Sequence, residues 1–220
     1  MKKRFFLLLL IVIPLFVQAQ IPNFGTTVGD HNLYGYSSLK YQAKIHNWET
    51  YSTLQYGIGR FFQCGVDLST NNGSSYLGYV VRSGIDISKY FKIGIQLTPS
   101  FDLAQNHKFS YTTSAVYING DITKEGRLFY VTDLWLENNT NGMFTSSQWT
   151  YLGYRFNINQ KGDRITPLIG AIHSWKFDKA VDLSMGCYFT HKNISLYAWA
   201  NNILTEKPRF VLAIEFSFNN

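Results

Sequence analysis

Residues Arg209 to Phe218 alternate without a break. Phe210, Leu212, Ile214, Phe216 and Phe218 fall on one face of an extended chain; Arg209, Val211, Ala213, Glu215 and Ser217 fall on the other. Successive side chains of a strand point to opposite sides, so this period of two predicts a strand with one greasy face and one small or polar face. The pattern recurs along the chain. Phe91, Ile93, Ile95, Leu97, Pro99 and Phe101 oppose Lys92, Gly94, Gln96, Thr98, Ser100 and Asp102. Val181, Leu183, Met185, Cys187 and Phe189 oppose Asp182, Ser184, Gly186, Tyr188 and Thr190. Turn-forming residues separate the runs: Asn71-Asn72-Gly73-Ser74, Asn119-Gly120-Asp121, Asn138 to Gly142, Gln160 to Asp163 and Thr205 to Pro208. Strands are predicted over 34–46, 49–58, 62–70, 76–87, 91–103, 108–118, 127–138, 147–158, 164–176, 180–191, 194–203 and 208–218. That makes twelve, with ten as the alternative, because alternation blurs in 108–118, 164–176 and 194–203.

Periodicity alone does not say what meets the greasy faces. Composition does. The 220 residues are 45% hydrophobic and 17% aromatic but only 15% charged, against roughly 25% charge in ordinary soluble domains. A soluble barrel or sandwich turns its polar faces to water and needs a charged exterior. Here the polar faces are rich in Gly, Ser, Thr and Gln. The fold class expected is therefore all-β, an antiparallel transmembrane β-barrel. Closure into a barrel satisfies every backbone N–H and C=O where lipid offers no partner. A secreted soluble β protein that binds a ligand is the runner-up.

The N-terminus supports export. Lys2, Lys3 and Arg4 precede an apolar stretch from Phe5 to Val17, and Val17-Gln18-Ala19 places small residues at the cleavage positions. Residues 1–19 read as a signal peptide and 20–220 as the barrel domain. The apolar stretch is too short to cross a bilayer as a helix, which takes roughly 20 residues. Loss of the leader removes three positive charges and lowers the formal +6 to +3. No Lys/Arg cluster lies on one element, so no nucleic-acid partner is expected. Cys64 and Cys187 both fall on greasy faces of distant strands and read as small apolar fillers rather than a disulfide.

With twelve strands and both termini in the periplasm, odd strands run outward. Trp48, Trp135, Trp149 and Trp175 then sit near the outer ends, with Trp199 deeper. Phe61, Phe62, Tyr90, Phe91, Phe189 and Phe218 sit near the periplasmic ends. Two such levels are what aromatic belts at the headgroups require. Only the 138–147 connection is long enough to form a surface loop.

Taken together, leader, alternating strands, aromatic levels and aromatic-ended final strand resemble the bacterial outer-membrane β-barrel proteins as a superfamily. The resemblance covers nearly the whole mature chain and rests on shared grammar rather than a diagnostic motif. In size it looks like the small twelve-stranded solute channels. It implies residence in the cell outer membrane of a Gram-negative envelope, contact with outer-membrane lipid, and the barrel-assembly machinery as a partner that reads an aromatic near the C-terminus, here Phe218.

Candidate chemistry lies on the polar faces. Lys40, Lys44, Arg82, Asp102, Asp133, Glu137, Arg155 and Glu215, together with Asp86 and Asp182, are expected to line the lumen. Opposite charges can pair and stiffen a narrow interior. Alternatively Arg82 and Arg155, with Lys40 and Lys44, line a path for small anionic solutes. A membrane-embedded lipid-modifying hydrolase is a further alternative. His173-Ser174 cannot serve it as a dyad, since adjacent strand residues point apart. Asp30-His31, reminiscent of surface proteases, precedes the first strand. The five His residues, His31, His46, His107, His173 and His191, show no metal-ligand spacing, and Gly57 to Phe62 lacks the composition of a phosphate loop. No cofactor is expected. The function expected is a narrow solute channel or structural barrel without catalysis.

Overall fold

A computed structural model of the chain describes residues 27–71, 73–159, 162–174, 178–205 and 207–218. The predicted leader lies outside these residues. The strands are β1 (Leu33–Gln42), β2 (Asn47–Ile58), β3 (Phe62–Asn71), β4 (Ser74–Ser88), β5 (Phe91–Asp102), β6 (Lys108–Asp121) and β7 (Leu128–Asn139). They continue as β8 (Phe144–Tyr154), β9 (Phe156–Asn157), β10 (Arg164–Ser174), β11 (Asp178–His191), β12 (Ile194–Asn201) and β13 (Arg209–Phe218). β8 and β9 both pair with β10 and form one stave, interrupted at Arg155. The wall thus has twelve staves, as the alternation predicts.

Every neighbour is antiparallel, and β1 pairs with β13 from Leu33↔Phe218 to Gln42↔Arg209. That last pairing closes the sheet and removes its edges, the requirement for a wall that faces hydrocarbon. The strand bounds differ from expectation by a few residues at most of their ends. The weak alternation of β6 and β10 does not prevent pairing, because register is inherited from the neighbours on both sides.

The two faces sort as the chemistry demands. Leu212 is 62% exposed on the outside while Glu215 is 2% exposed on the inside. Val81, Ile95, Leu97 and Ile169 are likewise exposed on the outer wall. A soluble protein hides such residues; here they form an apolar band suited to acyl chains. Cys64 and Cys187 are free thiols on this outer face.

The end that carries Leu33 and Phe218 is here called the terminal end. Its connections are short: 59–61, 89–90, 122–127, 158–163 and 192–193. The opposite end is just as closely trimmed. The β7–β8 connection shrinks to 140–143, because Phe144 to Ser147 joins β8 and Asn139 Oδ1 accepts the Asn141 and Met143 N–H groups in a tight turn. The expected long loop there is absent. Asn119-Gly120-Asp121 is not a turn either. It completes β6, where Gly120 lies opposite Tyr130 and its missing Cβ leaves room for the Tyr90 carbonyl.

Aromatic placement differs from expectation in a way that matters for function. Phe61, Phe62, Tyr90, Phe91 and Phe189 do line the outer surface of the terminal end, and Trp48 is exposed at the opposite end. Trp135, Trp149 and Trp199, however, face inward. They share strand parity with Asp133, Tyr151 and Asn201, so no headgroup belt can use them. Trp175 lies outside the described residues.

Candidate functional site in the barrel interior

The interior is built from the polar faces of the strands. At mid-height it is filled. Val80, Val131, Tyr188, Thr166, Ser184 and Glu215 are 2% exposed or less. Phe129, Val131, Tyr151, Leu168 and Tyr188 form an apolar cluster, with Trp149, Tyr197 and Trp199 packed against it. Small residues make space for it. At Gly153 the Phe129 ring occupies the position a side chain would take, and at Gly78 the Thr98 and Ser100 side chains do so. These glycines belong to Tyr76-Leu77-Gly78-Tyr79 and Tyr151-Leu152-Gly153-Tyr154, so the recurring tetrapeptide marks two places where the inner wall thins.

A run of rings follows the inner wall from β8 to β2. Trp149 meets Tyr151, Tyr151 meets Trp199, and Trp199 meets Tyr188. Tyr188 meets Tyr197, Tyr197 stacks on Tyr36 at 5.7 Å, and Tyr36 meets Tyr51. Edge and offset geometries of this kind are favoured by the ring quadrupole. Across the barrel, β3 to β7 bring Asp67, Arg82, Gln96 and Asp133 to the waist, while Glu215 on β13 is a buried charge on the ring-bearing side.

The predicted lumen residues fall into three groups. Arg82, Asp133 and Glu215 lie buried at the waist. The Arg82 guanidinium sits 4.0 Å over the Tyr117 ring and within electrostatic reach of Asp133. Asp67 joins this level, accepting a 2.7 Å hydrogen bond from the Tyr51 hydroxyl. Lys40 and Glu137 face inward towards the end opposite the termini, Lys40 over the Tyr51 ring and Glu137 exposed at the rim. Asp102 is buried at the end of β5 and accepts the Ala104 N–H in the following turn. Arg155 sits at the terminal end, bonded to Asp121 at 2.7 Å and to the Gly126 carbonyl, with its guanidinium over Phe129.

Lys44 is the exception. It lies in a short 3-10 turn, Ala43–Ile45, with its side chain exposed, because β1 ends at Gln42 and the chain leaves the wall before the alternation does. It lies beyond the strand whose inner face lines the lumen. Sequence reasoning also missed Asp67, Gln55 and Gln63, all buried inside. Their parity with Thr53 and Gly65 carried the signal, but no charge cluster drew attention to it.

Several cations of the interior lie beside anions. Arg155 has Asp121 at 2.7 Å, Lys92 has Asp86 at 2.8 Å, and Arg209 has Glu49 at 3.6 Å.

No protein-family model matches the sequence, and no curated protein matches it. Solved structures do match it in shape. The KdgM porin superposes with a TM-score of 0.65 at 10% identity, covering 84% of this chain and 99% of that one. The NanC porin gives 0.55 at 11% identity, over 83% of this chain and 98% of that one. The fold is that of the small porins. At such identities the likeness concerns the path of the backbone, and the chemistry must be read from this chain's own residues.

His173 points outward and Ser174 inward, consistent with strand parity. His191 lies 2.5 Å from Asp163, exposed at the terminal end. Among the described residues no three His, Cys, Asp or Glu side chains gather as a metal site.

Proposed function

We propose that this chain is an outer-membrane β-barrel that passes small solutes through a narrow lumen and performs no chemistry on them. The observation that carries this reading is the sorting of the two faces: a closed, lipid-facing wall surrounds a polar interior that narrows at Tyr117, Arg82, Asp133, Tyr188 and Glu215. The two structures it resembles are porins by title, which supports solute passage. The leader over residues 1–19 directs export, and the barrel-assembly machinery inserts residues 20–220 into the outer membrane with both termini in the periplasm. Paired charges favour small polar solutes of low net charge over the small anionic solutes that Lys40, Arg82 and Arg155 alone would suggest.

Planar-bilayer recording of the refolded protein tests this. Small discrete unitary currents with weak ion preference are expected. Folded protein that gives no current overturns the reading. Arg82→Ala widens the waist and removes its positive charge, so conductance rises and preference shifts away from anions. Arg155→Ala, at the mouth, changes selectivity much less. Lys40, Asp102, Glu137 and Glu215 complete the path, and equal selectivity in all variants removes them from it.

A further inference from the structure

The segment before β1 does not leave the barrel. Gly29, at φ +87°, and His31, at φ +57°, both adopt left-handed backbone and reverse the chain. Thr27 and Val28 are thereby folded into the terminal mouth. There the segment extends the sheet: His31 N donates to the Gly57 carbonyl at 3.2 Å, and Gly57 N donates to the Asn32 carbonyl at 2.9 Å. Val28 is 7% exposed, and its N–H donates to Gln63 Oε1 at 2.7 Å. Gln63 is itself 1% exposed, donates to Gln55, and Gln55 donates to Thr53. Asp30 Oδ1 accepts the Gly59 N–H, and the Thr27 hydroxyl donates to the Arg60 carbonyl. Gly57 is shaped for the segment, since the atoms a Cβ there would meet first all belong to it: the Gly29 carbonyl oxygen at 1.6 Å, its carbon at 2.7 Å and Val28 Cγ2 at 3.1 Å.

A buried amide whose oxygen reads a backbone N–H, beside a glycine that admits a main chain, is the chemistry of extended-peptide recognition. We propose that the terminal mouth is a peptide-binding site occupied by the chain's own residues 27–32, and that this strap restricts passage through the barrel. The restriction rests on the channel reading; the binding does not.

The test separates the two. Gly57→Val expels the strap from the barrel side, and Gly29→Val disables it from its own side, where φ is forbidden to valine. Both raise unitary current over the parent, and both retain the heat-induced gel shift of a folded barrel. A synthetic peptide of residues 20–32, added on the terminal side, blocks Gly29→Val again and leaves Gly57→Val open. Gln63→Leu in the Gly29→Val background weakens that block about five- to tenfold, the loss of one hydrogen bond. Unchanged current in both conducting variants overturns the restriction. Labelling judges the strap independently of conduction. In a Cys64→Ser/Cys187→Ser background, Val28→Cys resists a water-soluble maleimide, and adding Gly57→Val exposes it. Equal labelling of the two overturns the site. Protection without any current, in folded protein, retains the site and fails the channel.

Discussion

Two sectors of one inner wall solve the same packing problem with different chemistry. From β8 round through β13 to β2, rings fill the space: Trp149, Tyr151, Trp199, Tyr188, Tyr197, Tyr36 and Tyr51 touch in series. From β3 to β7, Asp67, Arg82, Gln96 and Asp133 occupy the same depth, with Glu215 a buried charge on the ring side. A ring is stabilised by every atom it touches and asks a partner only for its hydroxyl or indole N–H. A buried charge is tolerated only while its partner and hydrogen bonds stay in place. The ring sector is therefore robust to single losses and gives the waist its shape. The charged sector is fragile and gives it its electrical character.

The largest expected effect breaks the charged sector. Arg82→Met removes the cation that stands over Tyr117 beside Asp133 and costs about 3–5 kcal/mol of barrel stability. Pairing it with Asp133→Leu recovers much of that loss, because a neutral packed interior needs no partner. Urea-driven unfolding of protein in vesicles measures both. A double mutant no more stable than Arg82→Met shows that Arg82 serves Tyr117 alone.

An intermediate effect is expected in the ring sector. Tyr188→Leu and Trp199→Leu keep the interior apolar but remove one edge-on contact at 6.1 Å. Their double-mutant cycle returns a coupling of about 0.5–1.5 kcal/mol. Coupling near zero means the rings merely fill volume. Either outcome stays below the Arg82 effect, and the reverse order removes the distinction between the sectors.

Much of this division is legible in the sequence itself. Tyr188 and Tyr151 share parity with Ser184 and Gly153, so period two alone set them inside, and it set Leu212 against lipid and Glu215 against the lumen. Parity failed only where the strand itself stopped. Lys44 keeps the alternating pattern of β1, yet the wall ends at Gln42, and a pattern carries no mark for the residue at which pairing ceases. The tryptophans misled for a different reason. Trp149 lies opposite Asp133 at the waist, deeper than expected, and a belt depends on face as well as height: Trp135 and Trp149 lie on the inner one. Partner choice for each charge was beyond reach, since Arg155 with Asp121 and Arg209 with Glu49 join residues far apart in sequence whose proximity only the closed register creates.

The smallest effect sharpens the comparison by moving the same kind of pair outward. Lys92 and Asp86 form a 2.8 Å ion pair at the terminal end, with side chains 31% and 46% exposed. Water and salt reach both groups, so neither loses its hydration when its partner goes. Lys92→Ala is expected to cost at most about 1 kcal/mol, and the cost fades as salt is raised to molar levels, where screening acts over about 3 Å. Arg82→Met, shielded at the waist, keeps its full cost in the same salt. Parallel unfolding at low and high salt measures the pair of variants together. If the cost of Arg82→Met falls with salt as that of Lys92→Ala does, ions reach the waist freely, and the interior is wetter than its packing implies.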